Sequence, residues 1–298
     1  MTRKTLPTAL LALAVLCGCG GAAETAAPPS PSAAAAKDKK HQLEAAKADC
    51  MKQKGFKYVA WVKPELPETE EDRSRAAGDY QAMRKYREKY GFGIFAEFIY
   101  PKEMDTTEAQ GERGAADPNA KIQEALSDTQ LGAYYKAKDA CMVTAGKQVL
   151  GVTLKSNIDY YNQIALARKR ATSSTLDTDA KLMELAATMA TCLKGKGYTV
   201  GDTTPTAMAK RGENAFFEQL DKVGREQDDS VPNVPPPTKK GQSQPINMPR
   251  LTAEQARPYL AKEIKAALDD LECGKDFYPA YTPRKSAIDT QIRAQFAY

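Results

Sequence analysis

Four cysteines in the body of the chain, set in a repeated pattern, restrict its fold more than any other feature. Residues 50–56 read Cys-Met-Lys-Gln-Lys-Gly-Phe, and residues 192–198 read Cys-Leu-Lys-Gly-Lys-Gly-Tyr. Both patterns are typical of a helix C-terminus. Lysines favour the negative end of the helix dipole, glycine adopts the left-handed cap, and the aromatic residue folds back over the last turn. The repeat therefore predicts two related halves, each built around a helix end.

Each copy of the repeat is followed by one more cysteine in a later predicted helix, Cys141 in the first half and Cys273 in the second. Four cysteines allow three pairings, and only the bridges Cys50–Cys141 and Cys192–Cys273 treat the halves alike. Because the N-terminus described next directs the chain to an oxidising compartment, we expect both bridges to form. Four free thiols are the alternative. A metal site is disfavoured, since no two cysteines have C-x-x-C spacing and the chain has a single histidine.

The N-terminus has the parts of a secretory signal: a basic start at Arg3, an apolar run over residues 6–16, and a small residue before Cys19. The apolar run is shorter than the roughly 20 residues that cross a bilayer. Residues 16–19, Leu-Cys-Gly-Cys, resemble a bacterial lipobox, in which the last cysteine is acylated and the chain is cut before it. We expect residues 1–18 to be removed and lipid on Cys19 to hold the protein at the extracytoplasmic face of the cell membrane. An ordinary signal peptide is the alternative.

Residues 19–37 are rich in alanine, proline, serine and glycine. They predict a flexible tether, because such segments bury too little apolar surface to offset chain entropy. About 260 residues follow, enough for one large domain or two smaller ones. The formal net charge is +5 for the whole chain and falls to about +3 without the signal peptide. Such a small excess of positive charge, on a chain that we expect to be exported, argues against nucleic-acid binding.

Apolar residues at helical spacing predict a mainly α-helical fold of two halves, residues 38–155 and 156–298. Helices are predicted over residues 38–54, 117–149 with a restart at Ser127, 157–172, 177–196, 205–223 and 251–272. One face of the third helix combines Ile158, Tyr161, Ile164, Ala165 and Arg168. The proline-rich residues 227–250 predict a long surface loop, with a polyproline ligand for a partner as the alternative.

Two aromatic segments, residues 56–62 and 91–100, either pair as a small β-hairpin or pack as aromatic loops. They are also our candidates for a binding surface that takes an envelope protein, a wall polymer or a peptide. The residues assigned to that surface are Trp61, Phe92, Phe95 and Phe98.

The combination of residues 50–58, 89–94 and 126–141 with residues 192–198 and 263–273 resembles a group of uncharacterised actinobacterial lipoproteins. The resemblance covers most of the chain that follows the signal peptide. It implies the lipid anchor and the two-part architecture. That group has no assigned activity, so the resemblance implies no mechanism.

The titratable residues of the sequence do not form a recognisable catalytic pattern. A nucleophilic triad would have to use His41, which lies in a polar segment beside the tether. Among the acids, Glu97 stands between aromatic residues and is the most suggestive of carboxylate catalysis. The alternative is that Glu97 is simply exposed while the aromatic residues on either side of it pack inward. Three acids near the last cysteine are expected to be solvated or paired with neighbouring lysines: Asp269, Asp270 and Glu272.

The sequence therefore favours a non-catalytic, lipid-anchored binding or interaction protein of the cell envelope, without a metal or cofactor. The alternatives are a small-molecule-binding lipoprotein and, after it, a carboxylate-dependent hydrolase. A deep pocket with converging acids favours the alternatives, whereas a flat aromatic patch favours a protein partner.

Overall fold

The computed structural model describes residues 33–65, 67–104, 116–227 and 247–298. The predicted signal peptide, Cys19, most of the tether and residues 228–246 of the proline-rich loop lie outside the described residues.

Ten α-helices and no strand are found in the described residues, which confirms the mainly α-helical prediction. In chain order they are α1 (Ala33–Gln53), α2 (Glu70–Ala76), α3 (Tyr80–Tyr90), α4 (Pro118–Glu124), α5 (Asp128–Ala145), α6 (Asn157–Thr175), α7 (Ala180–Gly195), α8 (Pro205–Gln227), α9 (Ala253–Cys273) and α10 (Phe277–Phe296).

The helix starts are fixed by side chains that accept the free backbone N–H groups of the first turn. Thr69 of α2, Ser127 of α5 and Thr252 of α9 each form a capping box with the residue three positions later. Asp117 caps α4 directly before Pro118, which needs no N–H partner in the first turn. The predicted starts at residues 117, 127 and 252 are thus confirmed.

The two copies of the cysteine repeat end their helices in the same way. At the end of α1, the N–H of Gly55 donates to the carbonyl of the residue three positions back at 3.0 Å. The N–H of Phe56 donates to the carbonyl five positions back at 2.9 Å. Gly197 and Tyr198 repeat both bonds at the end of α7, at 3.0 Å each. The φ angles of the two glycines are +80° and +87°, a conformation that other residues rarely adopt.

Both predicted disulfide bonds are present. Cys50–Cys141 joins the end of α1 to α5, and Cys192–Cys273 joins the last turn of α7 to the last turn of α9. The Cα atoms are 5.5 Å apart in each bridge, within the range that disulfide geometry allows. The sequence separations are 91 and 81 residues, and bridges that close loops of this size stabilise a fold by about 4 kcal/mol each.

The two predicted halves share one core. The largest buried cluster takes residues from α1, α5, α6, α7 and α10, among them Leu43, Met142, Ile164, Leu193 and Phe277. Helix α3 of the first half packs against α9 of the second. The described residues of both halves accordingly lie in one compact unit.

The two aromatic segments pack as loops and not as a hairpin. Residues 56–62 are irregular, and residues 91–100 form turns with one 3₁₀ turn at Ala96–Phe98. Backbone N–H groups of the second segment donate to the Glu263 carboxylate of α9, which takes the place of a strand partner.

Helix α6 buries only part of the stripe that its sequence pattern indicates. Tyr160 and Ile164 are buried, whereas Ile158 and Tyr161 are 71% and 59% exposed. Both faces of α6 carry apolar residues, so spacing alone does not decide which one is buried. The Tyr160 hydroxyl donates to the carbonyl of Phe296 at 2.8 Å, which fixes the rotation of the helix.

Three helices, α2, α3 and α10, lie outside the helices that the sequence patterns predict. Helix α10 contains Pro279 and Pro283, and proline usually indicates a helix boundary. Pro279 falls in the first turn, where a missing N–H costs nothing. Helix α1 begins at Ala33, within the predicted tether, because four consecutive alanines favour helix strongly.

Candidate functional site

A buried ionic junction lies where the two halves meet. Nη1 of Arg87 on α3 donates to Oδ1 of Asp270 on α9 and to the carbonyl of Ala267, both at 2.8 Å. Nη2 of Arg211 on α8 lies 3.3 Å from Oδ2 of the same carboxylate. The Tyr278 hydroxyl of α10 donates to Oδ1. Helices α3, α8 and α10 are therefore tied to one carboxylate of α9, whose oxygens are occupied by protein groups.

A second buried carboxylate, Glu263, lies two helical turns before Asp270 on α9. Its Oε1 accepts the N–H groups of Phe92 at 2.9 Å and Ile94 at 2.8 Å, and its Oε2 accepts that of Phe95 at 2.8 Å. Burial raises the pKa of Glu263, although these N–H groups act in the opposite direction. Glu263 thus holds the aromatic loop in place and has little capacity left to bind a substrate.

A cleft of about 200 Å³ opens beside the junction. Its lining combines two arginines, three large apolar or aromatic side chains and one acid with two small residues. The lining residues are Arg75, Met83, Tyr86, Arg87, Gly91, Phe92, Ala209 and Glu213.

The aromatic rings of the cleft are held by cations and by close packing. The guanidinium of Arg75 lies 4.1 Å from the centre of the Tyr86 ring, and that of Arg87 lies 5.4 Å from the centre of the Phe92 ring. Phe92 lies directly over Gly212 of α8, where a Cβ would approach the ring to 2.0 Å. The absence of a side chain at position 212 therefore sets where Phe92 lies.

The four residues predicted as a binding surface are not brought together. Phe92 is half-buried in the lining of the cleft. Phe95 is fully buried and stacks on Tyr259, with ring centres 4.9 Å apart, so it belongs to the core and not to a surface. Phe98 is half-buried beside Phe95. Trp61 is half-buried in the other aromatic segment, whose neighbours Phe56 and Tyr58 belong to a separate cluster.

The acids considered from the sequence have different environments. Glu97 is exposed on its 3₁₀ turn, as simple alternation predicts. Asp269 accepts hydrogen bonds from Lys265 at 2.7 Å and from Lys196 at 2.9 Å, and the hydrogen bond from Lys265 is the largest cause of its lowered pKa. The sequence predicted that Asp270 is solvated or paired with lysines, and this prediction is wrong. Asp270 is buried and pairs with two arginines.

Glu263 and Arg87 were not anticipated as site residues. A signal for Glu263 and Asp270 is present in the sequence, because both fall on the same face of α9 as Leu260 and Ala267. A charged residue on an otherwise apolar face indicates a buried partner. Nothing in the local sequence of α3 identifies that partner as Arg87, which is 183 residues away from Asp270.

A second, wider depression of about 600 Å³ lies beside the first disulfide bond, between α1 and the end of α5. Its lining is mainly polar and consists of Ala46, Asp49, Cys50, Gln53, Lys54, Thr144 and Gln148.

Within the described ranges, no group of three or more His, Cys, Asp or Glu side chains is arranged to hold a metal ion. His41 lies exposed on α1. None of the helices in the described part of the chain has both the length and the apolar character that a membrane span requires.

Comparisons with protein families, with curated proteins and with solved structures found nothing that matches this chain.

Proposed function

We propose that this chain is a lipid-anchored extracytoplasmic protein without catalytic activity, and that it binds a protein of the cell envelope through the cleft beside Arg87. The anchor rests on the lipobox-like residues 16–19. The two disulfide bonds support it, because such bonds persist in oxidising compartments outside the cytosol.

The residue types that line the cleft favour a protein as its partner. Arginine, aromatic residues and methionine are enriched at the centres of protein interfaces, and the cleft combines Arg75, Tyr86, Phe92 and Met83. Its volume of about 200 Å³ is below the range of roughly 300–1,000 Å³ that is common for small-molecule sites. A cleft of this size accommodates one anchoring side chain of a partner.

The occupied acids argue against carboxylate catalysis at the junction. General acid–base catalysis needs a carboxyl group within hydrogen-bond reach of the substrate. The oxygens of Glu263 and Asp270 are instead bonded to backbone N–H groups, arginines and a tyrosine. We therefore assign both residues a structural role.

A second candidate function, small-molecule binding, is favoured by the wider depression beside Cys50. Its volume of about 600 Å³ is within the range of ligand pockets. Asp49, Gln53 and Gln148 in its lining are exposed polar side chains. Such a site would suit a polar ligand.

Photo-crosslinking in intact cells separates these functions. A photoreactive amino acid replaces Met83 at the cleft, Gln53 at the wider depression, or Met183 on α7, which is 50% exposed and serves as the control. We expect a discrete protein adduct from position 83 and none from position 183. An adduct only from position 53, or the same pattern from positions 83 and 183, contradicts partner binding at the cleft.

A further inference from the structure

The outer face of α6 is an exposed apolar surface with no cover in the described structure. It consists of Ile158, Tyr161, Ala165, Leu166 and Lys169, which follow one another at helical spacing, with the exposed polar side chain of Asn162 among them. Leu166 is 45% exposed, beside the still more exposed Ile158 and Tyr161. The face extends for about 17 Å along the helix, and exposed apolar patches of this kind usually mark a contact.

The charge around this face is positive. Lys169 belongs to the face, and Arg170 and Lys155 are exposed next to it. Asp159 is the one acidic residue in the sequence of α6. Its Oδ2 accepts hydrogen bonds from the N–H of Lys155 at 2.8 Å and from Gln163 at 3.0 Å. Asp139 of α5 accepts the N–H of Asn157 at the start of α6, so the carboxylates lie at that end and the cations Lys169 and Arg170 lie farther along the helix. An apolar face with tyrosine, lysine and arginine is typical of helices that lie in the interface of an anionic bilayer.

Helix α6 shares a buried cluster with the first helix after the predicted tether, since the cluster includes Tyr160 of α6 and Leu43 of α1. The anchor proposed at Cys19 keeps the protein at a bilayer surface, and lipid chains and basic patches commonly act together in membrane binding.

We propose that the outer face of α6 docks on the anionic surface of the bilayer that carries the lipid anchor, so that the anchored protein is held in one orientation. This inference rests on the lipid anchor proposed above. A second copy of the chain is a poorer occupant, because pairing this face with itself would bring Lys169 and Arg170 against the same charges of the second copy.

The test uses residues 19–298 produced without lipid and with Cys19→Ser, which retain every described residue. Co-sedimentation is measured with vesicles of phosphatidylcholine alone and of phosphatidylcholine with phosphatidylglycerol. We expect binding to the anionic vesicles, at least tenfold weaker binding to the neutral ones, and weakening by salt, because exposed charges are screened. No binding to the anionic vesicles, or equal binding to both kinds, overturns the proposal.

Matched variants locate the contact. Ile158→Asp and Tyr161→Asp are expected to lower the partition coefficient about tenfold, whereas Met183→Asp on α7 leaves it unchanged. All three positions are exposed, so circular dichroism is expected to show the same fold in each variant. An equal loss of vesicle binding in all three variants overturns the proposal. A dimer that light scattering detects in the unmodified chain and that Ile158→Asp abolishes overturns it as well. The lipid-free chain is used, so failure here is distinguishable from failure of the anchor, which acyl labelling of the full chain tests separately.

Discussion

Asp269 and Asp270 are adjacent on α9, and their carboxylates have opposite environments. Asp269 is half-buried at the protein surface and pairs with Lys196 and Lys265. Asp270 is buried and pairs with Arg87 and Arg211. Successive residues of a helix are rotated by about 100°, so one carboxylate of an acidic pair can enter the core while the other stays at the surface.

Neutralising Asp270 is expected to lower the free energy of unfolding much more than neutralising Asp269. Asp270→Asn leaves two buried guanidinium groups without a counter-charge, and breaking a buried ion pair in this way costs about 3–5 kcal/mol. Asp269→Asn removes an ion pair at the surface, which is worth about 1 kcal/mol or less. The measurement is the free energy of unfolding in urea for both variants at pH 7. Equal losses would contradict the assignment of Asp270 as the buried centre of the junction.

Glu263 predicts a local effect on the aromatic loop. Glu263→Gln replaces one acceptor oxygen by an NH₂ group that faces backbone donors, and an unsatisfied buried group costs about 1–3 kcal/mol. We expect faster hydrogen exchange at the amides of Phe92, Ile94 and Phe95. Glu272→Gln, at an exposed position of the same helix, is the control and is expected to leave exchange at these amides unchanged. Unchanged exchange in the Glu263 variant would show that the carboxylate does not hold the loop.

The lowered pKa of Asp269 predicts a pH-dependent contribution to stability. The contribution is fully present above the unfolded-state value of 3.8 and is lost as the pH falls through the lower folded-state value. The difference in unfolding free energy between the natural chain and Asp269→Asn is therefore expected to be larger at pH 7 than at pH 3. A difference that grows on acidification would have the wrong sign for this ion pair.

A substitution at Gly212, which does not itself line the cleft, is expected to change the shape of the cleft. Gly212→Ala places a methyl group where it would meet the Phe92 ring at 2.0 Å, so the ring must move. We expect chemical shift changes at Phe92 and Tyr86 and loss of the crosslinked adduct at position 83. Gly132→Ala is the control, because a Cβ there meets nothing within 4 Å. An unchanged adduct in Gly212→Ala would mean that the Phe92 ring does not contribute to partner binding.

Sequence patterns predict the helix ends and the bridges well, because these depend on local chemistry. The caps at Ser127 and Thr252 and the repeated ends at Gly55 and Gly197 can be identified within a few residues of chain. The repeat then determines which cysteines are paired.

The site is less predictable, because it depends on contacts between distant residues. Arg87 and Asp270 come from opposite halves of the chain, and no local pattern pairs them. Local sequence also does not determine which apolar residues of α6 are buried, since both of its faces carry them and the packing against Phe296 distinguishes the faces. Phe95 lies in the core and not on the predicted surface, because an aromatic ring in a loop can occupy either place and the local sequence does not distinguish them.

Metabolic labelling with an alkyne analogue of palmitate tests whether Cys19 carries the proposed lipid anchor. The natural chain, Cys19→Ala and Cys17→Ala are compared by labelling and membrane fractionation. We predict that the natural chain and Cys17→Ala carry the label and remain with the membrane. Cys19→Ala is predicted to lose the label and to leave the membrane for the medium. Label retained on Cys19→Ala, or lost from Cys17→Ala, would rule out Cys19 as the site of lipid attachment.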